Sequence, residues 1–187
     1  MEIKRQWAMP NSMTFSIKPI GDLIRKHISE TQARFMTLGG STFIDPFARN
    51  NDLADITNDL DPSTKAHFHI DALDWLKSFG DASVTGVLFD PPYSPRQVSE
   101  CYKKLGKTVN TQTTQASFWS ALKQEISRIV KCGGIVITCG WNSGGIGKNL
   151  GFSLVEILLV PHGGWHNDTI VTVERRQISG PMPEGGE

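Results

Sequence analysis

The sequence predicts an α/β protein with a mostly parallel, seven-stranded sheet and one antiparallel strand near its edge. Two observations predict the layout. Short apolar runs alternate with segments of helical periodicity as far as Cys139, and two apolar runs then close the chain with no helix between them. A third supports it: acids and proline- or glycine-rich turns fall just after the apolar runs, where open α/β sheets bind ligands.

The first helix is expected from about Ile20 to Met36. Leu23, Ile24, His27 and Ile28 give it a spacing near 3.6, Pro19 suits its first turn, and Gly39-Gly40 ends it. Strands are expected at Thr42–Asp45, Asp55–Asn58 and His67–Ile70, followed by a helix over Ala72–Phe79. Val84–Phe89 is a fourth strand running into Asp90-Pro91-Pro92-Tyr93. Residues 94–115 are polar and lack strong periodicity, and read either as a segment for substrate contacts or as a mobile loop with solvated charges. An amphipathic helix over Gln115–Lys131 follows, with Phe118, Leu122, Ile126, Ile129 and Val130 on its apolar side and Gly133-Gly134 as its breaker. Ile135–Cys139, Ser153–Val160 and Thr169–Val173 complete the seven strands, the last two as a hairpin.

A length of 187 residues suits one domain, read as residues 1–176, with a Gly/Pro-rich tail at 177–187 expected to be disordered. Nothing approaches the ~20 apolar residues needed to span a bilayer, and the first residues lack the apolar core of a signal peptide, so a cytoplasmic protein with no membrane partner is expected. The three cysteines, Cys101, Cys132 and Cys139, have no C-x-x-C spacing and read as reduced thiols, the last two in or near the core. Formal net charge is zero, which does not favour nucleic-acid binding unless the fold gathers residues such as Arg25, Lys26, Arg96, Lys103 and Arg128 on one face.

The sharpest chemical signal is Phe89-Asp90-Pro91-Pro92-Tyr93. An aromatic amine is a poor nucleophile because its lone pair is delocalised into the ring. A site helps by accepting hydrogen bonds from both amine hydrogens. The Asp90 carboxylate and the Pro91 carbonyl supply two acceptors. Pro91 and Pro92 fix φ and remove backbone donors, so the turn is rigid. Tyr93 offers a face on which an extruded base can stack. No strong base is needed, so catalysis rests on positioning and electrostatics.

Three further segments end in acids. Asp45-Pro46-Phe47-Ala48-Arg49-Asn50-Asn51 makes a tight loop after a strand. In Asn58-Asp59-Leu60-Asp61, Asp59, or Asp61 as the alternative, can grip both hydroxyls of a ribose. Asp71-Ala72 after the third strand can accept from an adenine amine, and Asp71 also suits a helix N-cap.

The order I-D-P-F-A, N-D-L-D-P, D-A-L and D-P-P-Y resembles the amino-group DNA methyltransferases, over about residues 11 to 176. D-P-P-Y is the variant of the adenine enzymes, and the cofactor motif precedes the catalytic one, as in their gamma arrangement. The small size and the segment Pro161–Asp168 resemble short adenine methylases of phages and prophages. The resemblance implies a Rossmann-like sandwich that binds S-adenosyl-L-methionine, adenine in DNA as the substrate, and Asp90, Pro91, Pro92 and Tyr93 as the catalytic turn. RNA or cytosine-amino methylation and an inactive subunit of a heterodimer are the alternatives.

By the same resemblance, Asp45, Pro46, Phe47, Ala48, Arg49 and Asn51 line the methionine part of the cofactor, Asp59 holds its ribose, and Asp71 with Ala72 its adenine. Asn11, Phe15 and Lys18 belong to an upstream segment at the cofactor's amino-acid end. The family has glycines where this chain has Arg49 and Asn51. Asn tolerates a left-handed backbone, whereas Arg49 either pairs with the cofactor carboxylate or marks an impaired site. A separate target-recognition domain is absent, so Arg96 and Tyr102 are the candidates for phosphate contact and stacking. Trp141, His162, Trp165, His166 and Asn167 are candidates for a substrate-pocket wall, and two histidines without a third ligand make no metal site. The partner is DNA, duplex or single-stranded, or RNA, with a homodimer or partner subunit compensating for the small size.

Overall fold

The computed structural model describes residues 1–106 and 116–177. Residues 107–115 of the polar stretch and 178–187 of the tail lie outside the described residues. The strands are β1 (Glu2–Arg5), β2 (Phe43–Asp45), β3 (Ile56–Thr57), β4 (Val84–Phe89), β5 (Val130–Gly140), β6 (Phe152–Val160) and β7 (Thr169–Arg176). The helices are α1 (Lys18–Phe35), α2 (Ala72–Lys77), α3 (Pro95–Lys104) and α4 (Ala116–Ile129). The seven strands form one sheet in the order β1-β6-β7-β5-β4-β2-β3. All pairings are parallel except those of β7, which runs antiparallel to both β5 and β6, third from the β1 edge.

Alternation along the strands explains the layers. Ile44, Val87, Phe89 and Val136 face a core completed by Trp75, Leu122 and Ile126 of α2 and α4. Phe43, Leu88, Ile135 and Ile137 face the opposite core, completed by Ile20, Leu23 and Ile24 of α1. Both sheet faces are therefore covered, as a parallel sheet requires. Gly86 in β4 permits the close packing of one of these side chains, since a Cβ there would lie 2.1 Å from the Phe43 ring.

The sheet has seven strands, but not the seven expected. The predicted strand at His67–Ile70 reduces to one bridge between Asn58 and Phe68. Side chains replace its ladder: the Thr57 N–H donates to His67 Nδ1 at 3.1 Å, and Asn58 takes both the Ile70 N–H and the Ile70 carbonyl. The place is made up by β1, whose alternating charged residues carry little apolar signal. Lys4 of β1 and Lys26 of α1 both donate to the buried Glu156 of β6 at 2.9 Å, and His27 of α1 lies 2.8 Å from the same carboxylate.

Two further differences concern the middle of the chain. The stretch read as a loop from residue 94 contains α3. Ser94 caps it by accepting from the Gln97 N–H at 3.3 Å, and Pro95 occupies its first turn. The helix expected to reach Lys131 stops at Ile129, and Gly133-Gly134 lie inside β5. Gly133, at φ 79, sits in the bulge where the β4–β5 register shifts. Cys139 is buried, while Cys132 is exposed rather than packed in the core.

Candidate active site

The carboxyl ends of β2, β4 and β5, the β6–β7 connection and the segment after β1 meet at one edge of the sheet. The chain order reverses between β2 and β4, the switch point at which such sheets bind ligands.

The loop after β2 is held from within. Asp45 has no exposed surface. Its Oδ1 accepts from the Phe47 N–H at 2.9 Å, and its Oδ2 from Asn51 Nδ2 at 3.3 Å. Burial pushes its carboxyl up to about 8, with those donors opposing and the charges of Asp90 and Asp59 assisting. Asn58, also fully buried, ties this loop to the next: its Nδ2 donates to the carbonyls of Pro46 at 3.2 Å and Ile70 at 3.0 Å. Arg49 takes φ 51. That left-handed backbone costs a non-glycine residue on the order of 1 kcal/mol. Asn51 has no such φ and works through its amide instead. The Arg49 N–H donates to Asp59 Oδ2 at 2.9 Å, and its guanidinium Nη1 to the Ser12 carbonyl at 2.5 Å.

The turn after β4 closes on itself. The Tyr93 hydroxyl donates to Asp90 Oδ1. The Tyr93 N–H donates to Gln97 Oε1 at 2.6 Å, and Trp119 Nε1 to the Pro92 carbonyl at 3.0 Å, so α3 and α4 both brace the turn. Burial raises the Asp90 carboxyl above its ordinary range, while Tyr93, Thr14 and the charge of Arg49 pull it back. Burial also raises the Tyr93 hydroxyl and the thiol of Cys139, with Asp90 adding to both.

Two clefts flank this turn. The first is lined by Phe47, Ala48, Arg49 and Asn51, by residues 12–16 and by Asp90. The second is lined by Tyr93, Trp141, His162, Trp165, His166 and Asn167, with Asn11, Thr14 and Gln97. Asp90 opens on one cleft and Tyr93 on the other; Thr14 lines both. The Trp141 ring meets Tyr93 edge-on, with centroids 5.6 Å apart. His162 is buried with both ring nitrogens engaged. Its Nδ1 lies 2.9 Å from the Ala8 carbonyl, an acceptor only, so that nitrogen carries a proton, and its Nε2 lies 2.8 Å from Thr169 Oγ1. Trp165 is fully exposed at the rim.

The structure thus gathers the D-P-P-Y turn, the Asp45–Asn51 loop, Phe15 and the five proposed substrate-wall residues about one edge. Asn11 falls in the second cleft rather than the first. Lys18 lines neither cleft and pairs with Asp22 at 2.5 Å. Asp59 and Asp71 line neither cleft. Asp59 accepts two backbone N–H groups, from Arg49 and Asp61, and Asp71 caps α2 through the Leu73 N–H at 3.0 Å. Ala72 is buried in the core. Arg96 pairs with Glu100 at 2.8 Å on the exposed face of α3. Tyr102 packs against the core, donates its hydroxyl to Asp71 at 2.6 Å and lines neither cleft. Sequence reading missed Thr14, Asn58 and Gln97. The Ser94-Pro95 start signal could have found the helix that carries Gln97. Among the described residues no cluster could hold a metal ion, and no helix is long and apolar enough to cross a membrane.

No family model and no curated protein matches the chain. Solved structures do. The 1,6-didemethyltoxoflavin-N1-methyltransferase of Burkholderia thailandensis, solved with 1,6-didemethyltoxoflavin and S-adenosylhomocysteine, matches at 11% identity over 86% of this chain and 84% of that one, with a TM-score of 0.51. The [4+2]-cyclase SpnF matches at 12% identity over 94% of this chain and 88% of that one, also with a TM-score of 0.51. At these identities the likeness establishes the Rossmann-like fold. A methyltransferase and a cyclase share it, so the chemistry has to be argued from the site.

Proposed function

We propose that this chain transfers a methyl group from S-adenosyl-L-methionine to the exocyclic amino group of adenine in DNA. One observation carries the reading: the rigid turn at residues 90–93 is the wall between two clefts, with Asp90 on the first and Tyr93 on the second. An acceptor turn between a cofactor cleft and a base cleft is what amine methylation needs.

The first cleft suits the cofactor. It opens at the switch point and is lined by Phe47, Asn51, Ser12 and Ser16. S-adenosyl-L-methionine supplies an electrophilic methyl group there. Asp59 and Asp71, the candidates for its ribose and adenine from the order of the motifs, line neither cleft, so a cofactor that reaches them extends beyond the first cleft. In the second cleft an extruded adenine lies against Tyr93 and Trp141. Asp90 and the Pro91 carbonyl accept its two amine hydrogens and localise the nitrogen lone pair. The Tyr93 hydroxyl donates to Asp90 Oδ1, and the carboxylate keeps further lone pairs for the amine. Pro91 and Pro92, braced by Trp119, keep both acceptors in place.

The test is methyl transfer from labelled cofactor to duplex DNA, single-stranded DNA and RNA, followed by nucleoside analysis. Label in N6-methyladenine of DNA is expected. Label only in RNA or in cytosine would replace the substrate, and transfer to none of the three would remove the proposal.

A further inference from the structure

Aromatic surface continues past the second cleft, on a segment that the proposed chemistry does not use. The chain after β1 runs beside the β6–β7 connection. The Gln6 N–H donates to the Leu159 carbonyl at 2.9 Å, the Ala8 N–H to the Pro161 carbonyl at 3.2 Å, and Nδ1 of the buried His162 to the Ala8 carbonyl at 2.9 Å. The backbone is thus fixed on both sides of Trp7, yet the Trp7 side chain is left in water, 64% exposed. It reaches Gly163, where an added Cβ would lie 3.6 Å from Trp7 Nε1. Gly163 and Gly164 both take a left-handed backbone, φ 71 and 60, in the turn that leads to the fully exposed Trp165 on the cleft rim. Pro10 and Asn11, shortly after Trp7, line the cleft itself.

Indoles held in water on a fixed backbone add little to folding, and apolar surface gathered beside a site marks an interaction surface. We propose that Trp7 and Trp165 form a stacking platform for the unpaired nucleotides that flank the target base, so that the chain takes single-stranded DNA in preference to duplex DNA. The inference rests on the reading that the second cleft receives a DNA base, and adds the form in which that base is supplied. Two observations choose the unpaired strand. An indole holds a base by its flat face, and in a duplex those faces are covered by the neighbouring pairs; an unpaired strand offers them. Duplex binding also draws on cations that meet the phosphates, whereas no Lys or Arg stands among the described residues that line the second cleft. A tryptophan side chain has two rotatable bonds and loses little entropy when a base settles on it.

The test is fluorescence anisotropy with an end-labelled DNA of about ten nucleotides holding one central adenine, a length within the usual single-strand site sizes. It is offered as a single strand and as a duplex, with S-adenosylhomocysteine present, to the wild-type chain and to Trp7→Ala, Trp165→Ala and Trp165→Phe. Both rings are exposed, so each variant should keep the wild-type urea midpoint, which separates lost binding from lost fold. The single strand should bind at least about 10-fold more tightly than the duplex, and each alanine should weaken it by roughly 5- to 150-fold. Trp165→Phe should recover part of the loss, since a flat ring remains. Affinity should fall with salt on a logarithmic slope smaller than about 2, because few phosphates are neutralised. Tighter binding of the duplex, a steeper slope, or alanine variants that bind the single strand as the wild type does would overturn the platform. So would rings that serve only to pair two copies of the chain, read as loss of a dimer in sedimentation with affinity for the strand unchanged. Transfer to N6-methyladenine in duplex DNA by such a protein would leave the proposed function standing; transfer to no form of DNA would remove that function, and the platform with it.

Discussion

The Tyr93 hydroxyl donates to the carboxylate of Asp90, three residues earlier in the same turn. The carboxylate proposed to accept from the substrate amine therefore already carries a hydrogen bond from a neighbour. Tyr93→Phe frees it and keeps the ring against Trp141. Steady-state kinetics should show transfer retained, with KM unchanged or lower. Tyr93→Ala removes the ring. A stacked base is worth about 1–3 kcal/mol, so kcat/KM should fall by roughly 5- to 150-fold. Equal losses in the two variants would mean that the hydroxyl, not the ring, matters.

Asn58 joins the loops after β2 and β3 through a buried amide. Asn58→Ala would strand the carbonyls of Pro46 and Ile70 and the Ile70 N–H. The expected loss of stability is about 3 kcal/mol. Urea unfolding followed by tryptophan fluorescence would measure it, with a lower midpoint and an unchanged slope.

Asp45 makes stability depend on pH. Its carboxyl titrates at about 8 when folded, against 3.8 ordinarily. Between those values the folded chain holds a proton that the unfolded chain has lost, so stability falls as pH rises from about 4 to about 8. Asp45→Asn should flatten that fall, whatever it does to stability overall. Urea midpoints at intervals from pH 5 to 8 would show it.

Glu156 acts in the opposite sense. Burial raises its carboxyl, but the hydrogen bonds from Lys4, Lys26 and His27 outweigh burial and hold it at about 2, against 4.5 ordinarily. Its contribution is fully present above about pH 4.5 and is lost as pH falls towards 2. Glu156→Gln should shrink that acid-side loss and loosen β1, read as faster amide exchange at Ile3 and Lys4.

The parts legible in the sequence were those where one local cause decides. Val84–Phe89 reads as a strand because all six of its residues are buried, and its end fixes Asp90. Phe118, Leu122, Ile126 and Ile129 mark α4 because one stripe meets the core. The rest depended on partners distant in sequence. Glu2–Arg5 becomes a strand by pairing with β6, far along the chain, where Glu156 gathers Lys4 together with Lys26 and His27 of α1. His67–Ile70 looks like a strand, yet His67 and Asn58 take over its hydrogen bonds. Tyr102 looked like a free aromatic until Asp71 accepted its hydroxyl. The D-P-P-Y turn was visible as a motif. The two clefts on either side of it were not, because each is assembled from segments distant in sequence, residues 12–16 with 47–53 and 90 in the first and residues 10–17 with 93–97 and 141–169 in the second.

The most direct test of the account separates binding from chemistry at Asp90. S-adenosylhomocysteine should bind Asp90→Ala within about 3-fold of the wild-type chain, while methyl transfer to adenine falls by at least about 100-fold, as loss of a transition-state acceptor predicts. Transfer by Asp90→Ala at more than about a tenth of the wild-type rate would contradict the role given to the turn.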